Sequence, residues 1–310
     1  MATPTIHTAS KDPTSPVHAA FEPSLFFYSI NWRARSYHAG ATLTTHHGNG
    51  SDFAGFASLL ACPDPRRIDI RASVRTVPRQ WLVRTYLERA AIRVHAIVDV
   101  SSSMFFQGEA NMRQQVTAFV SSLAWSATRQ GDAFGMRAAH DTAQQALQVM
   151  PSFQPGTAQA VARQMTAYWQ QAADDGQGHG ASAIPAALEA IGPQRSLVFL
   201  ISDFYWSPAL LQQTLKAAQP HDVIPVVLRD RTATEGLPAF GWARLRDMET
   251  GEERSWMLRR SLHRQIAAYA GQQAQALNAR FLKAGTRAPF GLHPGWRAED
   301  VSRHLMETMA

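Results

Sequence analysis

The chain has 310 residues, 45% of them hydrophobic, and a formal net charge of +6 from 30 Lys+Arg against 24 Asp+Glu. That length holds one large α/β domain with appendages or two small domains, and a lone cysteine, Cys62, excludes a framework of intramolecular disulfides. No window approaches the ~18 consecutive apolar residues of a membrane helix, and the polar, proline-containing start lacks the charged-then-apolar order of a secretion signal.

These exclusions point to a cytoplasmic protein with no membrane insertion. The charge excess is modest, dominated by arginine and spread along the chain. Without a recognition motif to accompany it, plain solubility is favoured over a nucleic-acid partner.

Residues 1–20 are rich in Thr, Ser, Pro and His and read as a disordered tail. Residues 21–90 form an arginine- and aromatic-rich segment, expected to be a small β-rich lobe. Gly48 and Gly50 mark a turn there rather than a phosphate loop, since no Gly-Lys-Ser/Thr follows. Asp69 sits among Arg66, Arg67, Arg71 and Arg75, which suggests local ion pairing. Those arginines read either as a solvated face packing its stems on aromatics or as a surface for a partner.

Residues 91–310 carry the alternation of strands and helices that builds a doubly wound, mostly parallel sheet. Arg93–Asp99 is a short apolar run expected to be a buried strand. Helices are expected over 111–130, 157–173, 184–191 and 208–219, and strands over 133–139, 196–204 and 222–229, with a short edge strand within 143–153. Pro225 suggests that its strand is an edge or carries a bulge. Residues 241–256 read as a hairpin turning at Glu249–Glu252, followed by a long helix over 258–282 and an amphipathic one over 299–309. His179, alone in a glycine-rich loop, reads as solvated rather than as a ligand.

Two of the strands end in an aspartate. Asp99 is followed by Ser101 and Ser103, and Asp203 closes Ser-Leu-Val-Phe-Leu-Ile-Ser-Asp. Ligands of open α/β sheets bind at the carboxyl ends of strands. If the two strands are neighbours, the carboxylates meet, and a cation between them relieves their repulsion. Hydroxyl and carboxylate oxygens are hard donors, suited to Mg²⁺, with Mn²⁺ and Ca²⁺ as alternatives, and not to zinc.

Asp99-x-Ser101-x-Ser103 resembles the first part of the metal-ion-dependent adhesion site of von Willebrand factor A domains, and Asp203 its last aspartate. The resemblance puts Ser182, in Gly180-Ala-Ser-Ala-Ile-Pro, in the place of the usual threonine; Ala183 stands where close relatives often carry an acid. The run from Arg66 to Thr76, with Gly48, Gly50, Asp52 and Phe53 upstream and Leu245–Glu252 downstream, is similar to a family of bacterial von Willebrand A proteins encoded beside MoxR-type AAA+ ATPases. That family usually has tryptophan where this chain has Ile70.

The resemblance implies a Rossmann-like von Willebrand A fold and a metal site of Asp99, Ser101, Ser103, Ser182 and Asp203. It implies a non-catalytic adaptor whose bound Mg²⁺ grips a partner's carboxylate. The partners implied are a MoxR-type AAA+ ATPase and a client protein complex, with metal or cofactor insertion into a dehydrogenase as one candidate task; one branch of the family accompanies methanol oxidation. Two other classes stay open: a metal-dependent hydrolase using Asp99 and Asp203, and nucleic-acid binding by the arginines between Arg66 and Arg89. Neither a Gly-x-Ser-x-Gly elbow nor a nucleotide-binding Gly-x-x-x-x-Gly-Lys-Ser/Thr occurs.

Overall fold

The computed structural model describes residues 22–32, 39–48, 52–77, 80–105, 111–139, 147–174, 180–228, 241–246, 253–258 and 260–308. The expected N-terminal tail, His179, Gly50 and the turn at Glu249–Glu252 lie outside the described residues.

The centre of the protein is a run that avoids water on both sides. In Arg93–Asp99 (β4) every residue after Arg93 is buried, and Leu197–Ser202 (β7) and Asp222–Leu228 (β8) are buried throughout. Parallel strands joined by helical crossovers are covered on both faces, and these strands are paired that way. With Ala133–Ala139 (β5), Gln148–Ser152 (β6) and Phe290–Leu292 (β11), they form, among the described residues, a six-stranded sheet in the order β11-β8-β7-β4-β5-β6. All pairings are parallel except that of β6 with β5, which closes one edge antiparallel. The chain is thus mixed α/β with a mostly parallel central sheet.

Each face of the sheet has its own core because side chains alternate along a strand. Val94, Ala96 and Val98 pack with Phe199 and Ile201 against Met112–Arg129 (α2), Thr157–Asp174 (α3) and Ala298–Glu307 (α7). Phe119 of α2 is the hub of that face, its ring lying 5.8 Å from Phe26, 6.3 Å from Phe290 and 5.4 Å from Trp296. Ile97, Val198 and Leu200 face the other way, against Ile184–Glu189 (α4), Pro208–Ala218 (α5) and Phe281 of Arg260–Lys283 (α6).

The strand at 222–228 departs from expectation. Pro225 does not mark an edge or a bulge: β8 runs in unbroken parallel register with β7 through Leu200↔Pro225. It has an outer neighbour too, since β11 pairs with it from Val226 onward, so the proline precedes the outer ladder.

Residues 22–32, grouped in the sequence with the arginine-rich lobe, lie on the main body. Phe26 and Tyr28 are buried in the α2 face, and the backbone N–H groups of Ser24 and Phe26 donate to the hydroxyls of Ser122 and Ser126, 3.1 and 3.0 Å away. Tyr28 donates to Asp132 at 2.6 Å, Trp32 donates from Nε1 to Asp222 at 3.1 Å, and Arg287 Nη2 donates to the Ser29 carbonyl at 2.9 Å.

The small lobe is an antiparallel sheet of Ala39–Gly48 (β1), Asp52–Ser58 (β2) and Leu82–Ala90 (β3), in the order β1-β3-β2. Between β2 and β3, the run with Arg66, Arg67, Arg71 and Arg75 is helical: a 3₁₀ turn at Pro65–Arg67 leads into Ile70–Arg75 (α1), while Arg84 and Arg89 lie on β3. Asp69 caps α1 by accepting the Ala72 N–H at 2.9 Å and pairs with Arg84 at 2.6 Å, so its carboxyl sits below the usual range. Gly241–Arg246 (β9) and Glu253–Leu258 (β10) pair as an antiparallel hairpin.

His95 gives this fold an acid-sensitive point. Its ring is buried on β4, and burial, then the nearby His221, Arg93 and Arg137, pull its pKa down to about 4. The unfolded chain therefore holds the extra proton between about pH 6.5 and 4, and the contribution of His95 to stability falls as pH drops through that window. Asp132 acts oppositely: burial raises its pKa to about 6, so its contribution is present at low pH and is lost as pH rises through 6. Between pH 7 and 4, wild type should lose roughly 3 kcal/mol more than His95→Gln, measured by urea unfolding at each pH. Equal losses in the two proteins would remove His95 from the account.

Candidate functional site

β4 and β7 leave the sheet side by side, in register from Val94↔Leu197 to Val98↔Ile201. The chain crosses from β4 to one side of the sheet through β5 and β6, then returns to the other side through β7 and β8. The carboxyl ends of β4 and β7 therefore flank the point where strand order reverses, the place in an open α/β sheet where loops part and leave a crevice. Asp99 is the last residue of β4, and Asp203 follows the last residue of β7.

Asp99 is fully buried and heavily engaged. Its Oδ1 accepts the Ser101 N–H at 2.8 Å, while Oδ2 accepts the Ser202 hydroxyl at 2.7 Å and the Trp206 indole N–H at 2.9 Å. A carboxylate has about four acceptor positions. Both on Oδ2 are taken, which leaves one on Oδ1.

The loop after β7 is shaped to make this contact. Phe204 has φ +57°, a left-handed conformation that costs a non-glycine residue about 1 kcal/mol or more. Its ring is held by Trp206 and Phe281, 4.8 and 5.0 Å away, and its N–H donates to the Ser202 hydroxyl at 2.8 Å. The turn carries the Trp206 indole back to Asp99 and sends Tyr205 outward into solvent. Asp203 stays buried, accepting the Tyr205 N–H at 3.2 Å.

Ser101 and Ser103 stand beside Asp99, their hydroxyl oxygens 3.2 Å apart. Two oxygens bound in adjacent positions around Mg²⁺ lie about 3.0 Å apart, and around Ca²⁺ somewhat further. The 3.2 Å spacing is that of a hydrogen bond and is also close to the separation of two neighbouring ligands of one hard cation. Among the described residues no group of three or more His, Cys, Asp or Glu is placed to hold a metal ion, so a cation here would rest on hydroxyls as much as on carboxylates. Ser182 is exposed in the turn before α4, and among the described residues no hydrogen bond joins it to the other four.

Four of the five residues expected to hold a metal thus stand at adjacent strand exits, and Ser182 is on the turn that opens the next helix. Arg66, Arg67, Arg71 and Arg75 are not part of this rim. They lie on the lobe, which joins β4 at its opposite end through Ala91 and Ile92. Ser202 and Trp206 escaped sequence reasoning. The one available signal is alternation: Ser202 follows Val198 and Leu200 on the same face, a polar residue in an otherwise apolar strand.

A family described as "Protein of unknown function DUF58" matches residues 63–276, well over half of the chain. The chain belongs to that family. Another protein of similar sequence, from Paracoccus denitrificans, is called "Uncharacterized protein in moxR 3'region". It is 39% identical over 87 residues, covering 28% of this chain and 76% of that protein. Among solved structures, BatB from Bacteroides thetaiotaomicron aligns over 70% of this chain and 98% of its own, at 15% identity and a TM-score of 0.41. An aerotolerance-related membrane protein from Bacteroides fragilis aligns over 71% and 98%, at 14% and 0.39. At that distance neither bears on the details of fold or activity. In this family member, no described helix is long and apolar enough to cross a membrane.

Proposed function

We propose that this protein is a non-catalytic binding module of the von Willebrand factor A type. Its rim at Asp99, Ser101, Ser103 and Asp203 holds a divalent cation, Mg²⁺ first among candidates, and through it a partner's carboxylate. The observation that carries the reading is the meeting of the β4 and β7 exits at the strand-order reversal, with two serine hydroxyls 3.2 Å apart beside Asp99. When bound, the cation supplies a Lewis-acidic anchor for an acidic side chain.

The chain's own residues divide the work. Ser101 and Ser103 offer direct oxygen ligands. Asp99, with one acceptor position left, would offer negative charge beside the cation, and it ties the two strand exits together. Asp203 supplies the second carboxylate, and Ser182 joins if the turn before α4 moves toward the rim. The relative's name, taken from the region 3′ of moxR, supports a MoxR-type AAA+ ATPase as the partner; the pair's proposed work is remodelling of a client complex, with metal or cofactor insertion as a candidate task.

Calorimetry with Mg²⁺ and Mn²⁺, and pull-down of the ATPase with and without chelator, test this reading. Ser103→Ala and Asp203→Asn should each weaken cation binding by at least about tenfold and abolish cation-dependent capture. Heat of binding that is absent in wild type, or unchanged in both variants, would sink it.

A further inference from the structure

We infer that the free end of the small lobe docks on an anionic lipid surface. This stands independently of the cation reading. Three pieces of the lobe meet at one end of its sheet. The Leu59 N–H donates to the Trp81 carbonyl at 2.8 Å, Ser58 pairs with Leu82, the Asp69 N–H donates to the Leu82 carbonyl at 2.8 Å, and the Leu82 N–H donates to the Ser73 hydroxyl at 2.8 Å. These bonds bring the turn after β2, the helix α1 and the segment before β3 to a common tip.

The tip is apolar and uncovered. Leu60 is 96% exposed and Val77 93%, and Ile70, Val74 and Trp81 are also well exposed. Ser73 faces the sheet, so the outward side of α1 carries two adjoining stripes, Ile70 with Val74 and Arg71 with Arg75. Arg66, Arg71 and Arg75 are exposed, and among the described residues no ion pair engages them. The acids nearby are committed elsewhere, Asp64 to Arg67 and Asp69 to Arg84. The tip therefore presents uncompensated positive charge around protruding apolar side chains.

That combination selects the occupant. Leu60 and Val77 project almost wholly into solvent, so a protein partner would need a preformed socket for each. An acyl-chain boundary deforms around them. Tryptophan and arginine flanking short apolar tips match the layered polarity of a headgroup region, and arginines within reach of anionic headgroups add binding individually. A nucleic acid would use the arginines and gain nothing from Leu60 or Val77.

The test is co-sedimentation of the full chain with phosphatidylcholine vesicles and with vesicles that also carry phosphatidylglycerol. Binding is expected to the anionic vesicles, weakening with salt. Arg71→Gln and Arg75→Gln should each reduce it about fivefold. Leu60→Ser/Val77→Ser should abolish it with an unchanged unfolding midpoint, since both side chains are already in water. Loss of the Leu60→Ser/Val77→Ser variant from anionic vesicles supports the inference. No sedimentation, binding indifferent to Leu60 and Val77, or equal retention on DNA or polyglutamate overturns it.

Discussion

Asp99→Ala should destabilise the protein by on the order of 3–5 kcal/mol. The carboxylate is wholly buried, and its removal strands three donors: the Ser101 N–H, the Ser202 hydroxyl and the Trp206 indole. Ser202 also accepts the Phe204 N–H, so the loss spreads to the left-handed turn that shapes the rim. Asp99→Asn should cost less, roughly 2 kcal/mol, because one amide oxygen still accepts while the NH₂ group faces a donor. Urea unfolding of the variants measures both. Near-wild-type stability of Asp99→Ala would mean that the three bonds are not made in solution. The expectation also governs how the rim is probed. Loss of a partner in Asp99→Ala would not separate a missing cation from a loosened loop. Ser103→Ala is the cleaner change, because the Ser103 hydroxyl meets only that of Ser101 among the bonds described.

The second large effect lies at the other end of the sheet. Arg287 binds Asp222 through Nε at 2.9 Å and through Nη2, both groups being buried, and Asp222 also accepts the Trp32 indole N–H. Arg287→Met leaves a buried carboxylate with only the indole opposite it, which should cost about 3–5 kcal/mol. Removing both charges, in Arg287→Met/Asp222→Leu, should recover much of that loss, because the cost of burying ions disappears with them. Chemical denaturation of the single and double variants decides the matter. A double variant no better than the single would assign the loss to packing around Trp32 and Ser29.

How far the sequence reaches follows from range. β4 and β7 are readable because full burial writes itself as apolar runs, and each run gives way to an aspartate at the carboxyl end of its strand. The helices announce themselves by period: Val116, Phe119, Val120 and Leu123 mark the inner side of α2. Trp206 is not readable as a partner of Asp99, since the contact depends on parallel register between distant strands and on a left-handed backbone at a phenylalanine. The helix α1 hides because Arg71 and Arg75 look like a solvated run, and the Asp69 cap that starts it is one acid among many basic neighbours. β11, three residues long, is too brief to leave a period. Pro225 misleads because the rule against proline in sheets concerns its missing donor, and β8 meets its outer neighbour only beyond that residue.

The segment at 22–32 has no ladder of its own. Its amides end on Ser122, Ser126 and Ser302, one of its carbonyls meets Arg287, and its aromatic rings rest on Phe119 and reach Asp132 and Asp222. A stretch whose described bonds run to such distant parts gains them only once those parts are in place. It is expected to close late, as a clasp over an assembled body, and its release would bare Phe119 while leaving the parallel strands paired. Opening of that clasp is therefore the expected first step of unfolding, to be read as faster amide exchange at Ser24, Phe26 and Phe27 than in β4 and β7.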